Sequence, residues 1–76
     1  MEDLRNRIKI CSTGEAAFSL ALSIKKKSID NKDIYYEYVA KKILEFKDSQ
    51  YAKLFLDNFN LNNQKTIKKL NDLVAK

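Results

Sequence analysis

The side chains of this sequence that could do chemistry are ten carboxylates, fifteen lysines and arginines, four tyrosines and one cysteine; histidine is absent. Imidazole is the usual general base near neutral pH and the commonest metal ligand. Acid–base work would therefore fall to carboxylates such as Glu2, Asp3, Asp30, Asp33, Glu37 and Glu45. Each of these has a simpler role at a helix start or on a solvated helix face. Cys11 would need a base within reach to act as a nucleophile, and a single thiol without histidine cannot close a zinc site. Its helical spacing from Leu4 and Ile8 reads as packing. The expectation is a protein without catalysis, cofactor, metal or small-molecule substrate.

Binding chemistry is better represented. Tyr35, Tyr36 and Tyr38 cannot share one helical face, so at least one points outward. Tyrosine is enriched at protein interfaces because it joins a large apolar ring to a polar tip. Lys25, Lys26 and Lys27 close a helical segment, where the partial negative charge of the C-terminus favours cations. Tyr35, Tyr38, Lys25, Lys26 and Lys27 are thus the candidate contacts to a protein partner. With a net charge of +5 and a pI near 9.4, that partner is expected to be acidic.

A different class of function rests on Asn63, Gln64, Lys65, Lys68 and Lys69. Residues 52–59, a turn at 60–62 and a helix from 63 to 73 have the lengths of a helix-turn-helix, with Asn63, Gln64, Lys65 and Lys68 turned to a groove of nucleic acid. Lys65, Lys68 and Lys69, together with Lys25, Lys26 and Lys27, could also contact phosphates without reading sequence. Bulky Phe55 or Leu56 falls where such motifs want a small residue, and the turn has no glycine. The basic residues are lysines except Arg5 and Arg7, so the bidentate guanidinium fork that reads guanine is scarce. Nucleic-acid binding is the alternative to protein binding.

The elements that must position these groups are helical. Proline and tryptophan are missing, Gly14 is the one glycine, and neither strand alternation nor a hairpin dipeptide occurs. The spacing predicts four or five short helices in a compact all-α bundle of one domain. The first covers about residues 2–10. The second, about 13–27, follows a capping box at Ser12 to Glu15 and is apolar on most of its circumference, which places it at the centre. Leu22→Asp is expected there to abolish folding.

The third helix, about 31–47, is capped by Asp30 or Asn31. It should bury Tyr35, Val39, Ile43 and Phe46, flanked by Tyr36 and Ala40, and leave Asp33, Glu37, Lys41 and Glu45 in water. The fourth, about 49–59, begins at Asp48 or Ser49 and buries Tyr51, Ala52, Phe55, Leu56 and Phe59; the alternative is that it continues the third helix with a bend. The fifth, about 63–75, is capped by Asn62 and turns Ile67, Leu70 and Val74 inward. Phe18, Leu22, Ile43, Phe55, Ile67 and Leu70 are the expected core.

A chain of 76 residues has a thin core, and a homodimer is the expected remedy. The acidic start lacks a signal peptide's apolar region. The longest apolar run, residues 16–24, is too short to span a bilayer, so a cytoplasmic location is expected. In size, helical content and basic character the chain resembles small bacteriocin-immunity proteins and phage-encoded inhibitors. No diagnostic motif accompanies that likeness, and no residue role is carried over from it. A small accessory, inhibitory or immunity-type module, of the kind encoded by phages and mobile elements, is the expected function.

Overall fold

The computed structural model describes residues 4–27 and 30–75. The described chain is an all-α bundle: α1 (Leu4–Lys9), α2 (Gly14–Lys26), α3 (Lys32–Phe46), α4 (Ser49–Asn58) and α5 (Gln64–Ala75). The expected start of the first helix at residue 2 lies outside the described residues.

Short polar residues set the helix starts, in places one residue from where the sequence suggested. Thr13, not Ser12, caps α2, its hydroxyl accepting from the Ala16 amide at 3.0 Å. Asp48 caps α4 by accepting from Tyr51 N at 3.1 Å. Asn63, not Asn62, opens α5, its Oδ1 accepting from the amides of Lys65 and Thr66 at 3.0 and 3.4 Å. Asn31 precedes α3 in the left-handed region at φ 63° and gives no side-chain cap. Asparagine tolerates that conformation better than most residues.

Between α3 and α4 the chain does not bend but breaks. Lys47 sits at φ 54°, and the amides of Lys47 and Asp48 return to the carbonyls of Leu44 and Ile43. This is a Schellman stop with lysine where glycine is usual.

The hub of the bundle is α3, which packs against α1, α2, α4 and α5. Its buried face is Tyr36, Val39, Ala40 and Ile43, at helical spacing. That face is rotated from the expected one: Tyr35 is half-buried and Phe46 is exposed beneath Lys42 Nζ, 5.4 Å from the ring centroid. On α2 the stripe Ala17, Ala21 and Ile24 is fully buried, with Phe18 beside it, and it meets α3 and α4. Two small residues there let the helices approach closely. Leu22 lies off the stripe at 36 % exposure, so an aspartate there would face solvent; Ile24 is where it would be buried.

Phe59 joins the far side. Its ring lies 4.7 Å from Phe55 (stacked), 4.8 Å from Tyr36 and 5.9 Å from Phe18 (edge-on). Such offset pairs contribute roughly 0.5–1.5 kcal/mol each beyond burial. From α5, Leu70 enters the core completely and Thr66 nearly so, whereas Ile67 and Val74 stay half-buried.

Candidate functional site

The outward face of α3 is built by its two neighbours. Because Tyr36 takes the core position, Tyr35 and Tyr38 are turned to the flanks, half-buried, and Ile34 stands 49 % exposed beside them. On one side α1 packs along α3 and lays the Arg5 guanidinium over the Tyr38 ring, 5.9 Å from its centroid. On the other side the N-terminus of α5 closes down. Tyr38 lines three adjoining surface hollows at once. One is shared with Arg5, Ile34 and Tyr35, one with Lys9, Lys41 and Lys42, and one with Asp33, Glu37 and Asn62. Tyrosine is among the residues enriched where interfaces concentrate their binding energy.

The α3–α5 side of this face is held by two carboxylates, of which Asp33 is exposed as expected and Glu37 is not. Glu37 is half-buried; its Oε1 accepts from the Thr66 hydroxyl and, at 3.1 Å, from Asn63 Nδ2. One turn earlier, Asp33 Oδ2 accepts from Asn62 Nδ2 at 2.8 Å. Both carboxylates approach the start of α5, where unpaired amides favour negative charge. Burial, and secondarily the Asp33 charge, raise the pKa of Tyr36 above its ordinary 10.0.

The remaining candidate residues divide. Lys25 is not part of a free lysine cluster: its Nζ donates to the Asn58 carbonyl at 3.0 Å and lies 5.3 Å from the Phe59 centroid, closing the end of α4. Its own carbonyl accepts from Lys32 Nζ. Lys26 and Lys27 are exposed. The structure thus brings Tyr35 and Tyr38 together and leaves Lys25 at the C-terminal end of α2.

On α5, Gln64, Lys65, Lys68 and Lys69 are exposed. Asn63, by contrast, is spent on the helix cap and on Glu37. The connection between α4 and α5 runs over residues 59–63, longer than the three-residue turn the helix-turn-helix reading required. Sequence reasoning missed Arg5, Ile34 and Glu37. The signal for Ile34 and Tyr38 was available in their i, i+4 spacing; Arg5 depended on how α1 docks.

Cys11 is half-buried against the core, its thiol directed to the Arg7 carbonyl at 3.2 Å. Among the described residues no three or more histidine, cysteine, aspartate or glutamate side chains are grouped to hold a metal, and no helix is long and apolar enough to cross a membrane. Comparisons with family models, curated proteins and solved structures returned no match.

Proposed function

We propose that this chain is a non-catalytic protein-binding module that meets its partner through the outward tyrosine face of α3. The observation that supports this is Tyr38, seated where three hollows meet, with Ile34 and Tyr35 beside it and Arg5 over its ring. Tyrosine and arginine are among the side chains that most often carry interface energy, and here the Arg5 guanidinium lies over the half-buried Tyr38 ring. The mode of action is occupation: the module covers a face of its partner, as an inhibitor, accessory subunit or immunity-type protein does.

Photocrosslinking tests this reading. With a benzophenone side chain in place of Tyr35 or Tyr38, irradiation in native lysate is expected to give a discrete protein adduct that survives nuclease treatment. The same probe at exposed Lys53 on α4 should give none. Adducts to nucleic acid alone, or protein adducts from Lys65 and Lys68 but not from the tyrosines, would overturn the proposal.

A further inference from the structure

The hollow between α1 and α3 has a lopsided charge. Among the described residues, Arg5, Lys9, Lys41 and Lys42 line it with a single carboxylate, Glu45, around a space of about 560 Å³ floored by buried Ile8 and by Tyr38. Glu45 is already offset, since Lys42 Nζ lies 3.5 Å from its Oε2. Lys9 and Lys41 are exposed, and neither pairs with a carboxylate among the described residues. The acidic groups farther along the face, Asp33 and Glu37, are held by Asn62 and Asn63. Lys9 and Lys41 therefore offer positive charge that no described carboxylate pairs with, beside the Tyr38 ring and, one turn earlier on α3, exposed Ile34.

We infer that this groove takes an acidic segment of the partner protein, with carboxylates against Lys9 and Lys41 and one large apolar side chain against Tyr38 and Ile34. The inference deepens the protein-binding reading and rests on it. Two features favour a polypeptide over a nucleic-acid strand. A strand carries a charge at every phosphate and stacks its bases on open rings. Here Asp33, Glu37 and Glu45 interrupt the basic track along α3, and Arg5 occupies a face of the Tyr38 ring. A protein segment can place its charges only where the lysines are. Charge complementarity of this kind sets specificity and association rate more than raw affinity.

The test is selection of a random peptide display library on the intact chain, repeated on the Lys9→Glu/Lys41→Glu variant. Both positions are exposed, and circular dichroism verifies that the variant folds. Peptides enriched on the parent are expected to carry several Asp or Glu with an aromatic or aliphatic residue, and to perturb the Tyr38 and Lys41 amides in NMR spectra. They should bind the milder Lys9→Gln/Lys41→Gln variant about tenfold more weakly, as two exposed charge pairs allow. On the charge-reversed variant, enrichment should turn to Lys- and Arg-bearing peptides.

Enrichment of neutral or basic peptides on the parent, still lost with Tyr38→Ala, would overturn the acidic-segment inference and leave the protein-binding reading standing. No enrichment, with a single-stranded oligonucleotide shifting the same amides, would overturn both.

Discussion

Gly14 shows how one side chain's absence can be structural without any unusual backbone. Its φ is not positive, and the two positive-φ residues described are Asn31 and Lys47. What Gly14 supplies is room: a Cβ there would lie 2.9 Å from both the Cβ and Oδ2 of Asp48, the residue that caps α4. The near atom is close to the backbone, so it cannot swing away cheaply. Gly14→Ala should destabilise by roughly 1–3 kcal/mol in urea unfolding through overpacking, although alanine is the better helix former. Lys47→Gly should do the reverse and stabilise by about 1 kcal/mol, because glycine adopts the left-handed stop at no steric cost.

Tyr36 makes a pH prediction at the same scale. Its raised pKa means that the unfolded chain releases the phenol proton first, near pH 10.0, while the folded chain still holds it. The unfolded state then binds fewer protons, so stability is intact below pH 10.0 and falls as pH rises from there toward the folded pKa. Tyr36→Phe should be nearly neutral at pH 7 and should remove that part of the alkaline decline, read by thermal melts across pH 8 to 11.

At the scale of the element, the question is what holds α5 to α3. Leu70 supplies burial, but Thr66 and Asn63 meet Glu37 through hydrogen bonds to a charged acceptor. Such bonds contribute about 1.5–3 kcal/mol when one partner is charged, and removing the acceptor also strands Thr66. Glu37→Ala should therefore cost about 2 kcal/mol in chemical denaturation. Glu45→Ala, on the same stripe, breaks only an exposed 3.5 Å pair with Lys42 and should cost less than about 0.5 kcal/mol. Equal effects would show that the clasp does not hold α5.

These elements also show what was legible. The helical segments were readable from apolar spacing and from the scarcity of glycine and proline, but the stop at Lys47 was not, because a bent continuation of one helix fitted residues 31–59 as well. The exact helix starts were not readable either, because neighbours share chemistry: Ser12 beside Thr13 and Asn62 beside Asn63 can each accept from a helix amide. The buried face of α3 was ambiguous for a related reason. Apolar side chains at 34, 35, 36, 38, 39, 40, 43, 44 and 46 surround much of the helix, so two registers fit. Tertiary packing chose the one holding Tyr36, and with it the outward pair Tyr35 and Tyr38. That Glu37 leaves water could not be read locally, since it depends on where α5 begins.

For the whole molecule, the radius of gyration of 11.4 Å matches the roughly 11 Å of a single compact domain of this length. Among the described residues, thirteen buried hydrophobic ones come from α1 to α5 and the α4–α5 connection, so one core joins all five helices. The net charge of +5 then acts at two ranges. Across the surface it is diffuse and screened beyond about 8 Å at physiological salt. In the α1–α3 groove it is local.

Changing Lys65 and Lys68 to Glu separates these ranges, because it removes four units of charge at exposed sites on α5 and spares Lys69, which shares a hollow with Lys41. If the partner is held in the groove, the yield of protein adduct from the Tyr38 photoprobe should stay within about twofold at physiological salt. A duplex-binding protein working through α5 would lose phosphate contacts, with affinity falling steeply and the salt slope shrinking by about one for each lysine removed. The photoprobe yield therefore reports whether function follows the total charge or the place where α1 and α3 concentrate it.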